Sequence, residues 1–398
     1  MRGVRATGPL QVTLQRATFV ALKKLVDLCL QERVHFLVLA GDLFDVKDRS
    51  IAARLTLQSE LARLSAVGIE TFIVHGNHDP LEATAAMVAP LAKHVHVFGT
   101  EWAEVGVVRE GRVVARVQGI SYGRERVEEN LSRHFSRRGP EATVGVLHAN
   151  VGGQNAHANY APCSIEDLDA RGLTYWALGH LHTKAVHELP RGGVAVYPGN
   201  LQGRHVLEDG ERGCFLVDVD EDRSALRFVP LDEVRWHRVT LSVDAFSGVE
   251  ELEEGVSEAL SERCRAPQAA HAVRLVLEGR GAVHAELRKP GAREQLEEHL
   301  REALSRRPVP VVLESLEDAT RPALDWETLR ASNGLPADVL RASEEAVSLA
   351  SVVGGDKLLK ALEGALRKVG VTGFDPLAPA LVEDAAVRAV ELLVSEEA

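Results

Sequence analysis

The sequence predicts an α/β protein whose first half stacks two sheets between helices. Three observations carry that expectation. Strand-length apolar runs alternate with helix-period segments up to Asp79. A series of shorter strands with few helices between them continues to Asp220. Four of the strands end in polar clusters of similar make-up, which is how open α/β sheets gather a site at one rim.

The elements come in this order. Arg16–Gln31 repeats apolar residues at helical spacing, and Phe36–Ala40 is an apolar strand. "SIAARLTLQSELARLSAVG" is a second helix, stopped at Gly68. "IETFIVHGNHD" is the next strand, which completes a β-α-β unit. "HVHVFG", "GVVREG", "RVVARVQGIS", "TVGVLHANV", "TYWALGHLH", "GVAVYPGN" and "GCFLVDVD" are further strands. His94 and His96 alternate with apolar residues and are expected on a solvated strand face, and His75 and His157 are expected to be structural. These elements make a first domain of residues 1–232. Near "LDEVRWHRV" the composition changes. A strand (Trp236–Val243), a helix (Val249–Cys264), a strand (Ala272–Glu278), a helix (Ala292–Ser305) and a strand (Val309–Glu314) predict a small α/β domain over residues 233–322. Residues 323–398 are helical and charged, with the amphipathic stretch Asp356–Gly370 near the end.

Composition narrows the function classes. The 398 residues suffice for two or three domains, and 45% apolar content supplies an ordinary core. No run of eighteen apolar residues occurs, and the N-terminus lacks the apolar core of a signal peptide, so a cytoplasmic protein is expected. Cys29, Cys163, Cys214 and Cys264 are scattered without CxxC spacing, which speaks against a disulfide scaffold or a zinc–cysteine motif. A net charge of -12 excludes coating nucleic acid by bulk charge. Local basic stretches remain at Arg124 and Arg126 and at Arg133, Arg137 and Arg138, and they read first as solvated loops.

The chemistry lies in the clusters Gly41–Asp45, Gly76–Asp79, His148 and Gly179–His182. Carboxylate, asparagine oxygen and imidazole together suit manganese, iron or zinc better than the all-oxygen shells of calcium and magnesium. Taken alone, GDxxD is more often a turn or helix cap, and a lone strand-end histidine is more often core. Their joint occurrence, each after an apolar strand, singles out a metal site. Asp42 has two oxygens and could bridge two ions, Asn77 offers a carbonyl, and His180 and His182 share a face of an extended segment. Such a pair of ions clamps a phosphoryl oxygen and activates water. His78 is the candidate general acid, with Asp45 to orient its ring.

In this order the motifs "GDLFD", "GNHD", "LH" and "YWALGHLH", then "YPGNLQGRH", resemble the calcineurin-like metallophosphoesterases. With "YAPCSIEDL" between them, they resemble the SbcD/YhaO branch of bacterial DNA-repair exonuclease subunits related to the Mre nuclease. The likeness covers Arg16 to Asp220, and "TRPALD" (Thr320–Asp325) resembles the branch's C-terminal region. It implies a four-layer α/β-β/α sandwich with a small α/β capping domain and a helical tail. It implies two divalent ions, Mn²⁺ by preference. Asn77, His148 and His180 would hold the second ion, His182 the first, and Asp42 would bridge them. Arg204 or His205 would meet substrate phosphate. Implied partners are DNA, an SbcC- or Rad50-like (YhaN-like) coiled-coil ATPase and a second copy of the chain. One part of the pattern is absent. The family opens with a strand and a D-x-H motif that completes the first ion's shell, and no D-x-H precedes Asp42. The expectation is a native start further upstream, and fewer than two tightly bound ions for the chain as written.

Overall fold

The computed structural model describes residues 9–45, 50–88, 92–153, 160–267, 269–309, 311–323, 326–352, 387 and 389–390. His157, Asp325 and the stretch 356–370 lie outside them.

Helix α1 (Pro9–Glu32) is followed by strand β1 (Phe36–Ala40), helix α2 (Ile51–Ala66) and strand β2 (Glu70–Val74). Ser50 starts α2, its hydroxyl accepting from the Ala53 amide at 3.2 Å. Gly68, at φ +77°, turns the chain out of the helix. Helix α3 (Leu81–Val88) leads to β3 (Val95–Val97). Strands β1, β2 and β3 form a parallel sheet with β1 at its edge.

A second sheet takes β4 (Ala103–Arg109), β5 (Arg112–Gly119), β6 (Ala142–His148), β7 (Tyr175–Gly179), β8 (Ala185–Glu188) and β9 (Val194–Tyr197). Its order is β4-β5-β6-β7-β9-β8, parallel from β5 to β9 with antiparallel strands at both edges. Helix α4 (Ile165–Asp169) joins β6 to β7 and opens on a capping box between Ser164 and Asp167.

The two-residue period of the strands builds the layers. In β1 and β2, Phe36, Val38, Phe72 and Val74 face one core, while Leu37, Leu39 and Ile73 face the leucines of α1 and α2. In β7 and β9, Tyr175, Ala177, Val194 and Val196 face that first core. Trp176, Leu178, Ala195 and Tyr197 face the opposite way, onto Leu131, Phe135 and Leu168. Helix, sheet, sheet and helix-bearing layer thus stack in the predicted four-layer sandwich.

Strands β10 (Gly213–Val219) and β11 (Ser224–Pro230) form an antiparallel ribbon. Then come β12 (Val234–Ser242), α5 (Val249–Arg263), β13 (Ala270–Arg280), α6 (Ala282–Leu287), α7 (Ala292–Ser305) and β14 (Val311–Arg321). Their strands form a sheet in the order β12-β13-β14. Helices α8 (Trp326–Ala331) and α9 (Leu335–Val352) come next. The chain forms two compact units: residues 1–238, 264–273 and 305–314, and residues 239–263, 274–304 and 315–398. Among the described residues no helix is long and apolar enough to cross a membrane.

Two expectations need correction. His96 lies on a face that is only partly solvated: its side chain is a third exposed, its ring stacks on Phe72 with centroids 4.9 Å apart, and Nε2 lies 3.1 Å from Glu70 Oε2. An imidazole presents a flat apolar face as well as polar edges, so strand alternation alone misplaces it. Strands β8 and β11 also escaped the pattern. β8 is a four-residue edge strand, and β11 carries half-exposed alternating residues with little apolar signal.

Candidate metal centre

Parallel pairing sends the carboxyl ends of β1 and β2, and of β6 and β7, to one rim. Ala40 is in register with Val74, and His148 with Gly179. The two rims meet where His148 Nδ1 lies 2.9 Å from the Ala40 carbonyl oxygen. Glycines keep this approach open. A Cβ on Gly41, which sits at φ +93°, would stand 2.5 Å from His148 Nδ1, and one on Gly179 would strike the Ala40 carbonyl. Asp42 at φ +54° and His180 at φ +101° hold backbone conformations rare for side-chain-bearing residues. Such strain collects at functional sites.

The hydrogen-bond partners of His148 set its tautomer. A carbonyl only accepts, so Nδ1 carries the hydrogen and a neutral ring leaves Nε2 bare. That Nε2 lies 3.0 Å from Asn77 Oδ1 and 3.4 Å from Asp42 Oδ2. His180 Nδ1 approaches the same Asn77 oxygen at 3.3 Å. His148 and Asn77 are buried. Imidazole, amide and carboxylate donors thus gather around Asn77 Oδ1, a donor set that a divalent cation accepts. The residues present therefore fit a metal.

Asp79, at the end of "GNHD", organises this arrangement although its sequence context assigns it no task. Its buried carboxylate accepts from the amides of Asp42 (3.0 Å), Leu43 (2.9 Å) and Gly76 (2.7 Å). His75 is structural as expected, with Nδ1 2.7 Å from the Asp79 carbonyl oxygen. His78 is exposed, and its backbone amide donates to Asp42 Oδ1 at 2.9 Å. Asp42, Asp45, His78, His180, His182 and Arg204 line one cavity of about 1070 Å³.

His182 faces a different environment. Its Nδ1 is 2.7 Å from Oε1 of Glu208, a buried carboxylate that also accepts from the Arg204 amide at 2.6 Å. Burial pushes the Glu208 carboxyl up, but the hydrogen bonds from His182 and the Arg204 amide, with the charges of His182 and His205, hold it at about 2. Glu208 lies in an irregular segment without strand periodicity, so no sequence signal marks it. His205 is exposed, with Nε2 3.7 Å from Glu208 Oε1. Most of the basic residues have local partners. Arg124 lies 3.6 Å from Glu82, Arg126 2.8 Å from Glu128, Arg137 3.0 Å from Asp222, and Arg138 stacks 4.3 Å over Trp102.

Residues 15–184, which contain every cluster of this rim, match the calcineurin-like phosphoesterase family. The chain belongs to that family. In addition, residues 236–321 of this chain match the middle domain of metallophosphoesterase YhaO. The uncharacterized metallophosphoesterase YhaO of Bacillus subtilis is 33% identical over 274 residues, which cover 68% of this chain and 66% of that protein. The DNA double-strand break repair protein Mre11 of Sulfurisphaera tokodaii is 25% identical over 58% of this chain and 61% of its own length. The Mre11 of Methanopyrus kandleri is 27% identical over 69% and 62%. The chain therefore spans somewhat under two thirds of the length of each of these relatives.

Proposed function

We propose that this phosphoesterase hydrolyses phosphodiester bonds of DNA, as a manganese-dependent exonuclease or endonuclease subunit working with an SbcC- or Rad50-like coiled-coil ATPase. The observation that carries it is the gathering of Asp42, Asn77, His148 and His180 around Asn77 Oδ1 and His148 Nε2, beside an exposed His78 that lines the same cavity as Asp42 and His180. Asn77, His148 and His180 would hold one ion, His182 would serve the other, and Asp42 would bridge the two. When bound, the ions supply Lewis-acid polarisation of a phosphoryl oxygen and a water of lowered pKa.

The chain's own residues do the rest. His78 is exposed to the cavity, and its amide is tied to Asp42, so its ring stays beside the metal ligands. It donates the proton that the leaving oxygen needs. Asp45 lines the same cavity and would orient that ring. Asp79 fixes the two loops relative to each other through three amides. Arg204, exposed at the cavity wall, offers a cation to substrate phosphate, with His205 beside it. DNA as the substrate is supported by the Mre11 relatives, which are named for double-strand break repair.

The test is turnover with Mn²⁺ on linear double-stranded DNA, on bis-p-nitrophenyl phosphate and on a cyclic nucleotide. The expected result is cleavage of DNA that His78→Ala lowers about 10²–10⁴-fold. Turnover on the small diesters alone would overturn the DNA reading and leave a general phosphodiesterase. No turnover on any substrate by metal-saturated protein would leave a scaffold for the ATPase.

A further inference from the structure

We infer that His237, Cys264 and His271 form a second metal site, separate from the phosphoesterase centre, that takes a single borderline-soft divalent ion of the Zn²⁺ class. The three residues come from β12, from the turn after α5 and from β13. All three are buried, and one ligand atom of each lies within 4.8 Å of the others. Among the described residues this is the His, Cys, Asp and Glu group with that closeness.

Hydrogen bonding leaves one bare nitrogen facing the group, on His271. His271 Nε2 lies 3.0 Å from the Ala266 carbonyl oxygen, so it carries the proton and donates. The bare Nδ1 of a neutral ring then points at His237 Nε2, 2.9 Å away. The other nitrogen of His237, Nδ1, faces the Asp209 carboxylate at 3.8 Å. His271 is thus oriented as metal-binding histidines are, with a carbonyl behind its outer nitrogen. His237 donates from Nε2 to the bare Nδ1 of His271, so taking an ion requires its proton to move to Nδ1, on the side of the Asp209 carboxylate.

Two imidazoles and one thiolate are the donor set of zinc. Tetrahedral zinc would separate its nitrogens by roughly 3.3 Å and a nitrogen from the sulfur by roughly 3.6 Å. The rings need to part by about 0.4 Å, a shift that stacked side chains accommodate. Binding is an acid–base exchange: the Cys264 thiol gives its proton to solvent and the sulfur lone pair goes to the ion. Charge does not oppose the ion, because the nearby Arg235 guanidinium is neutralised by Asp232 at 2.8 Å and Glu211 at 3.1 Å. The other cysteines lie outside any such group: Cys29 and Cys214 sit in the apolar layers, and Cys163 packs near Leu168. The site's task is to clasp β12, β13 and the turn after α5, and its ligands all fall within the segment that matches the YhaO middle domain.

The proposed catalytic ligands include no cysteine, so sulfur reports on this site alone. The full-length, metal-stripped protein is titrated with Co²⁺ and its absorption recorded. A thiolate-to-cobalt charge-transfer band is expected that saturates at one ion per chain, is bleached by Zn²⁺, is absent in Cys264→Ser and persists in Asp42→Asn. No such band in the wild-type protein at saturation overturns the proposal, as does its persistence in Cys264→Ser. Zinc X-ray absorption of the wild-type protein decides independently of whether the variant folds. One sulfur with imidazole nitrogens is expected in addition to any N/O-only zinc, and a spectrum without sulfur overturns the site. Neither result depends on which phosphodiester the enzyme cleaves.

Discussion

The two sides of the phosphoesterase rim are built differently. On one, His148 and Asn77 are buried, glycines clear the approach, and the bare nitrogen already faces the oxygens with which it would share an ion. On the other, His182 is half-exposed and its Nδ1 is engaged by Glu208. The first side owes its geometry to strand pairing, since Ala40 is held beside Val74 in one sheet and His148 beside Gly179 in the other, with His148 Nδ1 bridging to the Ala40 carbonyl. The second owes its geometry to one carboxylate from an irregular segment. Burial of the first means its ligands lose little freedom on binding an ion, so it should hold metal more tightly than the second.

The sharpest way to break the comparison is to separate metal binding from chemistry. His148→Ala should abolish metal at the buried side, and activity with it, whereas His78→Ala should lower turnover about 10²–10⁴-fold with metal content unchanged by mass spectrometric metal analysis. Loss of metal in His78→Ala would mean that this ring is a ligand and not the acid.

Asp79→Ala leaves three backbone donors without their acceptor at once. Chemical denaturation should show a loss on the order of 3 kcal/mol, with metal affinity at both sides reduced because both loops move. Gly179→Ala, which drives a methyl into the Ala40 carbonyl, should cost about 1–3 kcal/mol and weaken the buried side in particular.

Glu208→Gln acts on the other side. It should weaken the His182-side ion about 10–100-fold while ion binding at Asn77, His148 and His180 is retained, as read by a two-step metal titration. The same variant gives the smallest effect, on pH dependence. The Glu208 carboxyl is held at about 2, below its ordinary 4.5. A depressed carboxylate contributes stability that is whole above pH 4.5 and is lost as pH falls toward 2. Acid denaturation of the metal-free protein should therefore be shallower between those values in Glu208→Gln than in the wild type.

The strands β1, β2, β6, β7 and β9 were legible because each is a short apolar run that ends in glycine or a polar turn. The proposed ligands were legible because each comes at or directly after the end of such a run. Asp79 was visible in its motif, but its task was not, because that task consists of contacts to amides 36 and 37 positions away. His237 and His271 carried no spacing signal, since 34 residues and a helix separate them.

The amino-acid sequence by itself determined the layered α/β class, the rim of strand ends and the placement there of Asp42, Asn77, His148, His180 and His182 as proposed ligands. Those properties reside in local periodicity and in the few residues directly after each strand. The tertiary structure alone decided which nitrogen of His148 is bare, that Glu208 engages His182, and that two histidines and a cysteine meet away from the rim. Proton placement and convergence depend on partners brought together by sheet register and packing, and no local pattern encodes them.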